Sequence, residues 1–397
     1  MNKPTKAGSH KSGRHFVQVP GPTNVPDRVL AAMGMPTIDH RGPAFAELTL
    51  EIVPGLRRVF NASGPVIMYP GSATGGWEAG FTNTLSAGDR VLMFDSGVFA
   101  LSWKTAATRF GLEVEFVPCD WRRGVEPDLV ESKLREDSSR SVKSVMVVHN
   151  ETSTGITNSV ADVRQAMNAA DHPALLMVDA VSSAGSIEFR QDDWGVDVTI
   201  AGSQKGLMLP PGMSFNVLSE KAIAASESAT LPKSYWSWND MLSSNENGLF
   251  PYTPPTNLMY GLREALVIME EEGLENLYAR HARLAEATRR AVAVWGLENY
   301  CTIPEKSSNT VTTVLVPDGV DADAVRAVIL ERFDMSLGAG LGKLAGRVFR
   351  IGHLGDFNEL MLAGALSGIE MGLHEAGVPR SAGGVAAALE YLAGAGT

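Results

Sequence analysis

Residues 174–206 read ALLMVDAVSSAGSIEFRQDDWGVDVTIAGSQKG, and this stretch decides the fold. The runs 174–178 and 196–201 are short and rich in Val, Leu, Ile and Met. Each ends in polar residues: Asp179 after the first, Gly202-Ser203-Gln204-Lys205-Gly206 after the second. Runs of this kind suit strands buried on both faces. Working outward, the same pattern recurs at 66–69, 90–94, 114–117, 144–148 and, past Pro210-Pro211-Gly212, at 213–218. The segments between carry helical spacing: Val163, Ala166 and Ala169 recur three apart, and 129–134 is similar. Strand–helix alternation predicts an α/β fold around a mostly parallel sheet. At Tyr252-Thr253-Pro254-Pro255 the pattern changes to an irregular loop. Helical stretches follow at 258–271 and 274–295, broken at Glu272-Gly273. Beyond Gly296 come a strand at 310–316, a helix at 322–333, a strand at 348–351 and a helix at 360–376, the makings of a smaller α+β domain. The expected division is a mobile tail at 1–15, a large domain at 16–285 and a small C-terminal domain at 286–397.

The whole chain of 397 residues exceeds what one core usually serves. With 34 Lys and Arg against 45 Asp and Glu, it lacks the electrostatic footprint for nucleic acid or an anionic membrane. Anionic substrates must be drawn by local positive groups. Cys119 and Cys301 have no CxxC spacing and no nearby His cluster, which predicts no metal site and two reduced thiols in a cytoplasmic protein. The first 15 residues lack the apolar core of a signal peptide, and no run of about 18 apolar residues offers a membrane span.

Ligands of open α/β sheets bind outside the carboxyl ends of the strands. There the sequence places Thr152, in His149-Asn150-Glu151-Thr152, with Asp179 and Lys205 on neighbouring strand ends. A lysine desolvated at such an edge loses preference for its ammonium form and becomes a usable nucleophile. Taken alone, it also reads as an exposed lysine in a Gly-rich turn. Asp179 is the residue type that keeps a pyridinium nitrogen protonated, although an acid at a strand end also serves as a helix cap or ribose ligand. Pro70-Gly71-Ser72-Ala73-Thr74-Gly75-Gly76-Trp77-Glu78 opens a helix with free N–H groups and hydroxyls suited to a phosphate, or forms a plain tight turn. Phe99 follows a strand end, as a stacking ring or a core aromatic. Arg350 is a lone cation in an apolar strand, paired with a structural acid or holding a substrate carboxylate.

In order, these motifs resemble the class V aminotransferases, pyridoxal-phosphate enzymes of fold type I, and most of all their serine–glyoxylate and alanine–glyoxylate members. Pro20-Gly21-Pro22-Thr23-Asn24, Asp39-His40-Arg41, Tyr252-Thr253-Pro254-Pro255 and Phe349-Arg350-Ile351-Gly352 complete the resemblance, which runs over nearly the whole chain. It implies pyridoxal 5′-phosphate as cofactor, Lys205 as the lysine that joins it, and Asp179 against its ring nitrogen. Phe99 would stack where many relatives have Trp. Ser72, Ala73, Thr74 and Gln204 would line the phosphate, Thr152 would reach the ring hydroxyl, and Val181 would touch the cofactor. Thr253, with Tyr252, would come from the other subunit of a homodimer. Arg350 would clamp the substrate carboxylate, with Pro22 and Thr23 across the pocket mouth. The implied reaction is ping-pong transamination from serine to glyoxylate, with Lys205 moving the Cα proton. Aspartate and alanine remain open as donors. A desulfurase of the same fold needs a mobile Cys shortly before the Arg350 strand, and Ser336-Leu337-Gly338-Ala339-Gly340-Leu341 has none. A non-catalytic binding protein would not need Lys205, Asp179 and Arg350 together.

Overall fold

The computed structural model describes residues 12–394. Its strands in chain order are β1 (Phe16–Gln18), β2 (Val66–Pro70), β3 (Arg90–Asp95), β4 (Glu113–Pro118), β5 (Val142–Val148), β6 (Asn150–Glu151), β7 (Ile156–Thr157), β8 (Leu175–Asp179), β9 (Val198–Gly202), β10 (Met213–Leu218), β11 (Glu298–Asn299), β12 (Val311–Leu315), β13 (Met335–Ala339) and β14 (Val348–Gly352).

The large sheet runs β2-β10-β9-β8-β5-β3-β4, and only β10 is antiparallel to its neighbours. Strands β8, β9 and β10 are buried at every position, which is why their sequences read as near-continuous apolar runs. β4 lies at the edge and carries Glu113 and Glu115, charges that discourage further pairing. Val148 is level with Asp179, and Asp179 with Ile200, so the carboxyl ends of β5, β8 and β9 stand side by side. The segment after each of those ends therefore opens onto one rim.

The second sheet runs β1-β13-β14-β12-β11. Here the division at residue 16 is corrected: Phe16–Gln18 pairs in parallel with β13 and belongs to the small sheet, not the large one. β1 is only three residues long and leaves its sheet before Pro20, too short a run to reveal its pairing in sequence. Of the tail expected at 1–15, only residues 12–15 fall among the described ones. His15 contacts the Ser336 hydroxyl at 2.9 Å and the Asp334 carboxylate at 3.0 Å, while residues 1–11 lie outside the described ones. The helices Thr256–Glu272 and Leu274–Val294 meet at Gly273, whose φ of +81° ends the first. Leu274–Val294 serves both cores, Leu277 in the large one and Leu284, Ala287 and Ala291 in the small one. The Ala-rich end folds as a helix, Gly384–Gly394.

Candidate active site

The site begins where β2 stops. Gly71 turns the chain, its N–H donating to Gly212 O at 2.9 Å, and Ser72 starts the helix Ala73–Thr84. Ser72 makes no side-chain cap bond. Its hydroxyl and the first N–H groups of the helix are thus left to face the rim, the arrangement that binds anions. Gly75 follows from packing: a Cβ there would stand 2.4 Å from the Trp236 ring. Trp236 is itself pinned, its carbonyl accepting from Tyr69 Oη (3.1 Å) and Asn83 Nδ2 (2.7 Å).

Asp179 ends β8 with its side chain buried. Oδ1 accepts from Val181 N–H at 2.9 Å and Oδ2 from Trp77 Nε1–H at 2.8 Å. Burial raises the carboxyl to about 7 against the pull of those two donors. Glu151 adds to the rise and Lys205 opposes it.

Lys205 lies in the β9–β10 connection, and its Nζ donates to Pro20 O. Burial lowers the amine to about 8, Arg350 pushes the same way, and Asp179 pulls it up. Gly21 makes this approach possible: it sits at φ +101°, and a Cβ would lie 2.3 Å from Lys205 Cδ. Thr23 grips the same loop, N–H to Gln204 O and Oγ1–H to Lys205 O, both 3.3 Å. Gln204 Oε1 is buried without a partner.

After β5, the hairpin β6–β7 supplies Asn150, Glu151 and Thr152. The Glu151 carboxylate is wholly buried and accepts from the N–H groups of Ser153 (3.1 Å), Phe99 (3.3 Å) and Ala100 (3.1 Å). It thereby fixes the start of the helix Val98–Arg109, which presents Phe99 to the cleft. Arg350, on β14, donates from Nε to Ala339 O at 2.7 Å and from Nη1 to Thr152 O at 2.9 Å. Among the described residues no carboxylate lies within 4 Å of it, so the structural ion pair left open by the sequence is absent.

One cleft therefore gathers Ser72, Ala73, Thr74, Phe99, Thr152, Asp179, Val181, Gln204 and Lys205. Arg350 joins it through Thr152, and Pro22 and Thr23 through the Lys205 loop. Tyr252 and Thr253 do not line the cleft of their own chain. Tyr252 is half-buried and stacks on Tyr235 (4.3 Å, 9°), and Thr253 is exposed. The sequence reading held Trp77, Asn150 and Glu151 within its motifs but gave none of them a role. Asn150 bonds Ser182 Oγ and Thr310 Oγ1, both at 2.8 Å, tying the two domains beside the cleft. The signal for Trp77 was an indole in a helix of small apolar residues, where its N–H needs a partner.

The family model described as aminotransferase class-V matches residues 17–342. The chain belongs to the class-V aminotransferases. One relative is the serine–glyoxylate aminotransferase of Methylorubrum extorquens, 49% identical over 97% of this chain and 98% of its own. Another is the L-aspartate–glyoxylate aminotransferase of Paracoccus denitrificans, 44% identical over 94% and 95%. The crystal structure of ureidoglycine–glyoxylate aminotransferase from Bacillus subtilis superposes with a TM-score of 0.90 at 28% identity, covering 97% of this chain and 99% of that one. This class-V chain thus has the type I aminotransferase fold throughout. Among its described residues no helix is long and apolar enough to cross a membrane, and no group of three or more His, Cys, Asp or Glu is placed to hold a metal.

Proposed function

We propose that this aminotransferase moves the amino group of serine to glyoxylate, giving hydroxypyruvate and glycine, with pyridoxal 5′-phosphate as cofactor. The observation that carries the reading is the convergence of Lys205 and Asp179 in one buried cleft on a chain 49% identical to a serine–glyoxylate aminotransferase. The residues fit the cofactor. The free N–H groups and hydroxyl at Ser72–Thr74 suit its phosphate, with Gln204 alongside. Phe99 suits its ring face, Asp179 its nitrogen, and Thr152 and Val181 its edge. When bound, the cofactor supplies the electron sink of transamination.

The chain's own part is binding and proton transfer. Arg350 takes the carboxylate shared by donor and acceptor, using the donors its two carbonyl bonds leave over. Lys205, with its amine lowered to about 8, acts as base and then as acid within each half-reaction: it takes a proton from the donor Cα in the first and delivers one to the acceptor Cα in the second. Asp179 holds a proton on the ring nitrogen. Tyr252 and Thr253, turned away from their own cleft, suit the cleft of a second subunit in a homodimer.

A donor panel with glyoxylate as acceptor, following glycine, tests the reading. Serine should give the highest kcat/KM. Aspartate, the donor in the name of the Paracoccus relative, or alanine in first place would change the donor alone. No glycine from any donor, with no visible absorbance on adding pyridoxal 5′-phosphate, would overturn the proposal.

A further inference from the structure

Two indoles are stacked under the cleft, Trp77 and Trp103, with centroids 5.9 Å apart and planes 21° from parallel. Both are buried, but among the described residues Trp103 Nε1 has no partner, while Trp77 Nε1 reaches Asp179 Oδ2 at 2.8 Å. Stacking alone would be served by phenylalanine at 77. The other oxygen of Asp179 is taken by Val181 N–H. An indole N–H and a backbone N–H donate and cannot accept, so both bonds favour the carboxylate over the carboxylic acid. Other charges acting on Asp179 are Glu151, which disfavours its ionisation, and Lys205, which favours it. Trp77 also stands four residues after Ala73 on the same helix, so one rigid element carries the anion-binding N–H groups and the donor to the acid.

We infer that Trp77 is a positioning residue: its indole N–H fixes the orientation of the Asp179 carboxylate and favours its ionised form. The role Asp179 then plays rests on the cofactor reading above, but the bond itself does not. A bond from a neutral donor to a buried carboxylate moves its ionisation midpoint by about one to two pH units. Without it, Asp179 moves from about 7 to above neutral and becomes mostly protonated.

The test compares the full chain with Trp77→Phe, which keeps the stacked ring, in two measurements. The first needs no cofactor: thermal unfolding from pH 5 to pH 9. The raised carboxyl is neutral in both proteins at pH 5, so their midpoints should nearly coincide there. The deficit of the variant should open as pH rises through 7. A deficit of equal size at every pH would make Trp77 a packing residue and overturn the inference. The Asp179→Asn background guards against a packing effect that happens to vary with pH. There Trp77→Phe should give a pH-independent change, and a deficit that still grows above pH 7 would overturn the inference. The second is equilibrium dialysis with pyridoxal 5′-phosphate. Trp77→Phe should bind about 10- to 100-fold more weakly at pH 7 and regain much of the loss at pH 9. Equal loss at both pH values would again overturn it. Failure of the unaltered chain to bind pyridoxal 5′-phosphate would sink the cofactor reading, and the unfolding curves would still decide the role of Trp77.

Discussion

Replacing Arg350 by lysine tests how the cleft recognises its substrates. The guanidinium is nearly buried, and its two protein bonds go to carbonyls on opposite sides of the cleft: Ala339 O on the small sheet at 2.7 Å and Thr152 O on the large domain at 2.9 Å. Burial lowers its pKa to about 10, against the attraction of Glu151, so it stays charged at neutral pH. Among the described residues no acid neutralises it within ion-pair distance. A buried cation without a counter-ion is costly, and a bound carboxylate completes it. Lysine retains the charge but has a single shorter-reaching ammonium. It cannot satisfy both carbonyls and a carboxylate in fork geometry. One charge-assisted bond is worth about 1.5–3 kcal/mol, which at roughly 1.4 kcal/mol per decade is about 10- to 150-fold in kcat/KM. The loss should appear for serine and for glyoxylate, chiefly as raised KM, since the carboxylate is not the reacting centre. The donor half-reaction with ethanolamine, which is serine without its carboxylate, provides the control. It should be slow in both proteins and barely altered by Arg350→Lys. Unchanged KM for serine and glyoxylate, or an equal loss with ethanolamine, would refute the clamp.

Two further predictions concern the frame. Glu370 accepts from Trp295 Nε1 (2.7 Å), Gly383 N (3.1 Å) and Val385 N (3.0 Å), and so holds the helix Gly384–Gly394 to the small domain. Glu370→Ala should leave these donors unpaired, cost about 1–3 kcal/mol and speed proteolysis near residue 383 with kcat unchanged; an undiminished Tm and unchanged cleavage would contradict this. At the sheet edge away from the cleft, Asp137 is buried, which raises its pKa, but Val142 N, Ser141, Ser139 and His172 outweigh burial and hold it well below the carboxylate range. A depressed carboxyl stabilises the fold above its unfolded pKa and loses that contribution as pH falls through the folded one. Asp137→Asn should therefore be less stable than the unaltered chain at pH 7, by about 1–3 kcal/mol, with the gap narrowing below about pH 4. Chemical denaturation at pH 7 and pH 3 checks this, and a constant gap would count against it.

Burial decided which parts of this structure were legible in the sequence. Strands β8, β9 and β10 are enclosed on both faces, so their apolar runs marked strand positions and placed Asp179 and the Lys205 loop at one edge. Helices with one wet face, such as Val160–Ala169, showed through their spacing. The losses came where pairing is set by distant chain. β1 is three residues long and joins β13 more than 300 residues away, and β13 is Gly- and Ser-containing with little pattern of its own. Glu151 read as part of a motif, but nothing local shows that its carboxylate reaches back to the amides of Phe99 and Ala100, some 50 residues earlier. Trp77 and Asp179 are likewise 102 positions apart. The charged ends were readable because chemistry restricts the residue type; their supports were not, because any buried donor can fill that place.

The manner of that support bears on the chemistry. Asp179 is held by an amide N–H and an indole, Glu151 by three amide N–H groups and the Ser153 hydroxyl, and Lys205 and Arg350 by carbonyls. A direct Asp179–Lys205 ion pair would drive the acid down and the amine up, locking both charges. With neutral partners instead, burial dominates and pushes the two the other way, to about 7 and about 8. Proton transfer is most effective when the pKa of the transferring group lies near the working pH. Under the proposed mechanism, the amine that would move the substrate proton and the acid that would hold the ring charge are both brought near neutrality by burial. It follows that burial sets the direction at both groups, with the Val181 and Trp77 N–H donors opposing it at Asp179 and with Arg350 reinforcing and Asp179 opposing it at Lys205.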